Sequence, residues 1–424
     1  MAPLIEGVIS LVIYSQNISI QKGDYQMAGS SLGTIYRITS WGETHGKGVG
    51  VVVDGCPAGL SLSEEDIQVY LDRRKPGQSR FTTKRKEGDQ VEILSGVFEG
   101  RTTGTPISLV VYNKDQKSKD YSEIANVYRP GHADYTFDRK YGFRDYRGGG
   151  RSSGRETIAR TAAGAIAAKV LKEMGIEVYA YTRSIGPVTV DPDLFDPSIR
   201  DQNALYMPDE KAAREAEAYL DQKIKEMDSS GGVVECIISG MPVGVGEPVF
   251  DKLSSSLGKA ILSIGAVKGF EIGDGFAAAQ SVGSVNNDAF VMTCGSSESV
   301  NKEASEITEE SEDSANKEAD ERKAGHVVKK TNHAGGILGG MSDGSDIIFR
   351  AAFKPTPSIA RKQETVTRDG ENAEIEIHGR HDPIIVPRAV VVVETMAAVT
   401  LLDLLLVNMS SRLDRVKEFY HKNE

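Results

Sequence analysis

The order of apolar and polar residues along the chain predicts a mixture of strands and helices. Continuous or alternating apolar patterns, typical of strands, cover residues 48–54, 91–97, 107–112, 177–182 and 232–239. Helical spacing of apolar residues covers residues 62–74, 209–227, 252–264 and 389–407. Ser63 is the predicted N-cap of the first of these helices.

A further helix is predicted from near Ser153 to a stop at Gly175, with Ser153 and Glu156 as an S-x-x-E capping box. Alanines at positions 159, 162, 163, 165, 167 and 168 leave little side-chain bulk on any face, which predicts close packing in the interior. The strands arrive as local pairs and do not match a regular βαβ series. We therefore predict an α/β fold of the α+β type, with helices enclosed in a sandwich of sheets.

The longest apolar stretch is interpreted as a core helix. It contains Glu394 and Asp403, and each charge would cost about 2.5–3.5 kcal/mol at the centre of a bilayer. The first fifteen residues lack a basic region before their apolar run, so no secretory signal is predicted. Cys56, Cys236 and Cys294 are far apart, which predicts neither a disulfide framework nor a zinc site. A cytoplasmic protein without membrane attachment fits these features.

Two segments are predicted to be additions to a single domain at residues 28–424. Residues 296–325 contain ten acidic and four basic residues, so they contribute −6 of the net charge of −11 and predict a mobile loop. Residues 1–27 form an N-terminal extension, and we expect translation to start at Met27, with residues 1–26 arising from an upstream start assignment. A genuine flexible extension is the alternative.

A concentrated basic segment stands out in this acidic chain. Residues 128–157 contain six arginines, one histidine and three successive glycines. Arginine binds phosphates and carboxylates with a planar set of donors, and glycine lets an anion approach the main chain. Neither the G-x-G-x-x-G nor the G-x-x-x-x-G-K-[ST] phosphate loop is present. Phosphate binding at this helix start is predicted, with a purely structural glycine turn as the alternative.

His45 and His132 lie in glycine-flanked turns and are the candidate acids among seven histidines. A second basic run, residues 73–86, has Phe81 as its one aromatic residue, whereas single-stranded nucleic-acid sites use several stacking aromatics. A small polyanion is therefore the favoured ligand, and a nucleic acid is the alternative.

Ten ordered motifs resemble those of the chorismate synthase family over nearly the whole chain from Gly29. They are GETHG (42–46), DGCPAG (54–59), RRKPGQSR (73–80), GVFEGRTTGTPI (96–107), YRPGHAD (128–134), GGGRSSGRET (148–157), GGVVE (231–235), AVKGFEIGDGF (266–276), NHAGGILGGMSDG (332–344) and KPTPS (354–358). The resemblance implies antiparallel sheets around core helices. It also implies a lyase that eliminates phosphate 1,4-anti from 5-enolpyruvylshikimate 3-phosphate to give chorismate, the last common step of aromatic amino acid biosynthesis, with FMN required in its reduced form.

The resemblance also assigns catalytic roles. His45 would protonate or orient the reduced flavin, His132 would be the general acid for the departing phosphate, and Asp382 would assist proton removal at the flavin. The substrate-binding residues would be Arg74, Arg80, Arg129 and Arg155, the first two also serving the flavin. The other flavin-contacting positions would be Arg151, Ser152, Ser153, Gly265, Ala266, Gly339, Lys354, Pro355, Thr356, Pro357, Ser358 and Arg380.

Two residues depart from the usual family motifs. Thr44 replaces a serine and Gly265 replaces an asparagine, which puts one flavin contact in question. The family further implies a homotetramer, and we expect no metal site. We expect an external flavin reductant, with NADPH as an indirect source of electrons. The alternatives are a nucleic-acid-binding protein that uses the basic run and a non-catalytic scaffold that uses the acidic insertion.

Overall fold

The computed structural model describes residues 29–83, 87–114, 124–293, 326–377 and 382–421. The predicted N-terminal extension and the acidic insertion lie outside the described residues. The same holds for Lys84, Arg85 and Lys86 of the basic run and for His378, Arg380 and His381.

Two five-stranded sheets, in which all neighbouring strands are antiparallel, form the framework. In spatial order, the first sheet contains β1 (Ser31–Leu32), β2 (Arg37–Gly42), β3 (Gly48–Asp54), β7 (Ile107–Tyr112) and β4 (Val91–Ile93). The second contains β11 (Val267–Ile272), β16 (Ile347–Phe353), β10 (Gly232–Ser239), β8 (Glu177–Ile185) and β9 (Val188–Thr189). Four small hairpins are β5 (Val97–Phe98) with β6 (Arg101–Thr102), β12 (Phe290–Thr293) with β13 (His326–Lys329), β14 (Ile337–Leu338) with β15 (Met341–Ser342), and β17 (Lys362–Val366) with β18 (Asn372–Glu376).

The helices of the described residues lie largely between or beside these sheets. They are α1 (Glu64–Arg74), α2 (Asp134–Tyr141), α3 (Thr157–Glu173), α4 (Glu210–Lys225), α5 (Leu253–Leu262), α6 (Gly283–Asn286), α7 (Val386–Asn408) and α8 (Leu413–His421). Helix α3 packs against β3 of the first sheet and against α7, and α7 packs against β8 and β10 of the second. The predicted sandwich with helices inside is therefore confirmed.

Most predicted elements are present, and the differences arise from local backbone geometry. The bounds of β3, β7 and β10 match the prediction residue for residue, and Ser63 caps α1 in a capping box with Asp66. The single strand predicted at 91–97 is wrong, because the chain turns at Gly96 with φ +83° and separates β4 from β5.

Helix α7 buries two carboxylates, and each has a specific partner. Glu394 accepts two hydrogen bonds from the guanidinium of Arg73, at 2.7 and 2.9 Å. Asp403 accepts hydrogen bonds from the backbone N–H groups of residues 34–36 at 2.7–3.0 Å. The helix has the length and mean hydropathy, 2.3, of a membrane span, but 89% of its most apolar window is buried. These features agree with a core helix.

Gly164 sets the distance between α3 and α7. A Cβ atom built on Gly164 would lie 2.4 Å from both Cβ and the carbonyl oxygen of Thr395. Real Cβ contacts are far longer, so the two helices approach this closely only because residue 164 has no side chain. The alanine-rich composition of α3 thus serves the close interior packing that the sequence predicts.

Gly164→Val is expected to destabilise the protein by at least about 2 kcal/mol, because overpacking forces the two helices apart. The measurement is the denaturant midpoint and Tm of the full chain. Gly283→Val is the matched control, since a Cβ atom at Gly283 meets no atom within 4 Å. Equal stability of the two variants would contradict this account.

Candidate functional site

The turn that carries His45 is held in place by Asn113 at the end of β7. The Asn113 amide donates hydrogen bonds to the carbonyl oxygens of Glu43, at 3.0 Å, and Gly46, at 2.9 Å. The His45 side chain is buried and lies against the glycine-rich loop, where a Cβ atom at Gly148 would approach its Cδ2 to 2.8 Å. This arrangement joins two segments that the sequence singled out separately.

The glycine-rich loop reaches α3 through two short 3₁₀ turns, Gly150–Ser152 and Gly154–Glu156. Gly148, Gly149 and Gly150 all have φ between +53° and +84°, in the left-handed region that favours glycine. The predicted capping box of α3 is wrong. The Ser153 hydroxyl accepts from the Arg155 N–H and caps the second 3₁₀ turn, while Glu156 pairs with Arg160 at 2.8 Å.

Arg74 and Arg155 are buried on either side of one carboxylate. Asp89 accepts a hydrogen bond at 3.0 Å from Nη1 of each arginine, one on each carboxylate oxygen. Arg74 also donates to the Thr157 hydroxyl and the Gly154 carbonyl, at 3.0 and 2.7 Å. The Nε of Arg155 donates to the side-chain oxygen of Asn113. The arginine group is therefore connected through Asn113 to the His45 turn.

The electrostatic environment of this group favours an additional anion. Burial, together with the charges of Arg388 and Arg155, lowers the pKa of Arg74 to about 9, although Asp89 opposes the shift. Nη2 of Arg155 is buried and has no hydrogen-bond partner, and its ion-pair contact with the Glu87 carboxylate is long, at 3.6 Å. A bound anion would stabilise the charged guanidiniums and satisfy this donor.

His132 lies in a second group with Arg129 and Ser358. Arg129 makes a two-bond contact with Asp134, with both distances 2.8 Å. His132 Nδ1 is 3.0 Å from the Pro130 carbonyl oxygen, and Nε2 is 3.0 Å from the Ser358 hydroxyl. A carbonyl can only accept, so Nδ1 carries the proton and the neutral Nε2 accepts from Ser358.

The second group adjoins the glycine-rich loop and the KPTPS segment. A Cβ atom at Gly149 would lie 3.9 Å from Nη2 of Arg129 and 3.4 Å from the Ser152 hydroxyl. Lys354 Nζ donates to the Gly131 carbonyl at 2.6 Å. Burial and the neighbouring Lys268 lower the pKa of Lys354. The glycine-rich loop thus lies between the two histidine turns.

Burial is also the main reason why the pKa of His132 is low. Together with the positive charge of Arg129, it lowers the pKa of His132 to about 4. The folded-state pKa is below the ordinary value of 6.5, so the imidazole is neutral at neutral pH when no ligand is bound. A phosphate beside Nε2 would raise this pKa, because an opposite charge favours the protonated form.

Asp382 lies with the arginine group rather than with the histidines. Its carboxylate accepts from the Thr83 N–H at 2.6 Å and from Nη1 of Arg388 at 2.7 Å. Nε of Arg388 donates to the Arg74 carbonyl at 3.0 Å, which connects Asp382 to the buried arginines.

Arg80 does not join this group. Its side chain is 58% exposed, and its guanidinium pairs with Glu217 at 3.1 Å and Asp221 at 3.0 Å on α4. The predicted role of Arg80 at the substrate therefore has no support from its position here.

Among the remaining predicted flavin positions, several are near the site and one is separated. Arg151 donates to the Ser40 hydroxyl at 2.7 Å and to the Gly42 carbonyl at 3.1 Å, beside the His45 turn. Ala266 follows Gly265 with φ +74°, and its carbonyl accepts from the Lys354 N–H at 3.0 Å. Gly339 is separated from these residues. It adjoins the N-terminal end of α5, where the Gly340 carbonyl accepts from the Leu253 N–H, whereas Gly265 and Ala266 follow the C-terminal end of that helix.

Sequence reasoning missed Asp89, Asn113 and Arg388. Asp89 and Asn113 are single polar residues near the ends of strands, and their partners are 15 to 70 residues away. No local pattern marks such a residue. For Asp89, a weak signal is the glycine that precedes it, since its φ of +44° is tolerated better by Asp than by most residues.

Comparison with known proteins decides the family. A sequence model described as chorismate synthase matches residues 36–406. The chain belongs to the chorismate synthase family. Proteins named chorismate synthase from Agathobacter rectalis and Cytophaga hutchinsonii are 63% identical over 396 residues and 49% identical over 387. These alignments cover 93% and 91% of this chain, and 100% and 99% of the relatives.

A solved structure of a chorismate synthase is also similar. Its TM-score is 0.67 at 29% identity, with 92% of this chain and 98% of the other covered. The family inferred from ten motifs, the sandwich fold, and the assignment of the chain as the lyase chorismate synthase are thereby confirmed.

The protonation state of His132 gives a direct test of the site geometry. In the ligand-free protein, NMR of the labelled imidazole is expected to show the Nδ1–H tautomer and a pKa of about 4. Adding inorganic phosphate should raise that pKa. A ligand-free His132 pKa near 6.5 would contradict the described burial.

Proposed function

We propose that this chain converts 5-enolpyruvylshikimate 3-phosphate to chorismate and phosphate by 1,4-anti elimination, with reduced FMN bound in the same site. The proposal rests chiefly on the convergence of two histidine turns and buried arginines on one glycine-rich loop. In the reaction a C–O bond to phosphate and a C–H bond break at the two ends of a four-carbon unit, and one new double bond forms. There is no net redox change.

The cationic residues suit this combination of ligands. The substrate carries a phosphate and two carboxylates, and FMN carries a phosphate of its own. Nη2 of Arg155 has no hydrogen bond and only a long ion-pair contact with Glu87, at 3.6 Å, and Arg74 has a lowered pKa that an anion would raise. Lys354 adds a third positive charge beside the His132 turn. Binding these anions close together requires such a set of charges.

The residues present also fit a flavin. Three successive glycines with positive φ add no side-chain bulk beside His45, and the Thr356 hydroxyl in the KPTPS segment is buried without a hydrogen-bond partner. When bound, reduced FMN would supply the electron-rich group that takes up the substrate hydrogen. His45, Arg151, Ser152 and the KPTPS residues would hold and orient it. Asp382, fixed by Arg388, would assist proton removal.

The proposed role of His132 follows from its protonation. Pro130 fixes the Nδ1 proton, so Nε2 is the atom that exchanges a proton with the departing phosphate. The bound phosphate would raise the low pKa of the free imidazole and thus make His132 an acid when substrate is present. Ser358, which occupies Nε2 here, would have to release it to the phosphate.

The nucleic-acid alternative gains no support from the basic run. Among its described members, Arg73 pairs with Glu394, Arg74 is buried on Asp89, and Arg80 pairs with two carboxylates of α4. These side chains are directed at carboxylates of the same chain and do not form an open basic surface.

We further propose a cytoplasmic homotetramer that depends on an external flavin reductant, with NADPH acting indirectly. Association is supported by strongly exposed aromatic side chains, Phe250 at 88%, Phe276 at 82% and Phe143 at 75% exposure. Burial of such residues between subunits would be favourable.

The proposed reaction is tested anaerobically with chemically reduced FMN, by following chorismate absorbance and phosphate release. A parallel assay supplies oxidised FMN and NADPH. Equal amounts of chorismate and phosphate in the first assay alone are expected, while product in both would disprove external dependence. No product from folded protein would disprove the reaction.

His45→Ala and His132→Ala are each expected to lower kcat at least about 100-fold, the usual scale of a general acid–base contribution. The kinetic measurement uses the same anaerobic assay with circular dichroism to confirm folding. His421→Ala, at an exposed position, is the matched control and should retain wild-type kcat. If His132→Ala retains more than a tenth of the wild-type kcat, His132 is not the general acid.

A further inference from the structure

We propose that Asp89 is a positioning residue that holds Arg74 and Arg155 side by side at the anion site and connects them to the His45 turn. The inference rests on the proposed function for its kinetic consequences. Asp89 itself contacts neither histidine and is not a catalytic residue.

The Asp89 carboxylate lies between two positively charged guanidinium groups and accepts a hydrogen bond from each. Its side chain has 0% exposure, and each carboxylate oxygen accepts from a different arginine at 3.0 Å. The two guanidiniums repel each other, so in a buried site they remain adjacent only when a negative charge lies between them.

Other N–H groups of the two arginines also have defined hydrogen-bond partners. Arg74 is fixed by Thr157 and Gly154, at the start of α3. Arg155 is fixed by Asn113, while its Nη2 has no hydrogen-bond partner. Asp89 therefore holds Nη2 of Arg155 in a defined place. This nitrogen has no hydrogen bond, and its ion-pair contact is the Glu87 carboxylate at 3.6 Å, which a bound anion would replace.

Asn113 connects Arg155 to the turn that carries His45. The same amide side chain accepts from Arg155 and donates to Glu43 and Gly46, which flank His45. Displacement of Arg155 would therefore disturb the His45 turn. A carboxylate outside the reacting groups thus determines the relative position of the anion-binding arginines and one histidine.

Asp89→Asn is the sharpest variant, because Asn tolerates the left-handed backbone at φ +44° as well as Asp does. It removes the charge with little change of shape. In the anaerobic assay, KM for 5-enolpyruvylshikimate 3-phosphate should rise at least about 10-fold, because the arginines bind the substrate directly. The kcat should fall by a smaller factor, because the His45 turn is disturbed only indirectly, through Asn113. Glu99→Gln, also at a positive φ but exposed, is the matched control and should leave both constants unchanged.

Asp89→Glu keeps the charge and shifts both arginines by one methylene, so its KM should lie between those of wild type and Asp89→Asn. If Asp89→Asn does not fold, the KM of Asp89→Glu tests the positioning role. A purely structural role would lower Tm but leave KM of the folded variants at the wild-type value, and that result would overturn the proposal.

A second measurement does not depend on turnover. Inorganic phosphate should raise Tm of the wild-type protein, and this rise should be at least halved in folded Asp89→Asn or, failing that, reduced in Asp89→Glu. An undiminished rise would overturn the proposal. If the wild type forms no chorismate but the phosphate effect depends on Asp89, the proposed function fails and the positioning role stands.

Discussion

The site depends on burying two arginines beside each other without losing their charge. Asp89 makes this possible, because it gives one oxygen to Arg74 and the other to Arg155. The lowered pKa of Arg74 shows that the compensation is incomplete. A site prepared in this way gains stability when a further anion binds, so affinity for a polyanionic substrate follows from the energetics of the ligand-free fold.

The packing of α3 on α7 brings the site's segments to these arginines. Gly164 allows the two helices to approach until Thr395 fills the space of a side chain. Arg74 donates to Thr157, the first residue of α3, and to Gly154 of the preceding 3₁₀ turn, and α7 contributes Arg388 from its first turn. A change in helix spacing would therefore alter the relative positions of the groups that hold the arginines.

Local patterns predicted most of the local structure, whereas the site also depends on contacts between residues far apart in the sequence. Strands β3 and β10 and the cap at Ser63 follow from continuous apolar runs and from neighbouring polar residues. The capping box at Ser153 failed because Glu156 pairs with Arg160. Asp89 could not be predicted, since its partners are 15 and 66 residues away. The motif resemblance found His45 and His132, but neither their connection through the glycine-rich loop nor the position of Arg80 on α4 follows from sequence spacing.

A crystal structure of the full chain with reduced FMN and a phosphate-bearing substrate analogue would test the central claim most directly. The account predicts the analogue's phosphate within about 3 Å of His132 Nε2, with Ser358 displaced from that nitrogen, and an anionic group within about 3 Å of Arg155 Nη2. Phosphate bound away from both residues, with the His132–Ser358 contact intact, would contradict it.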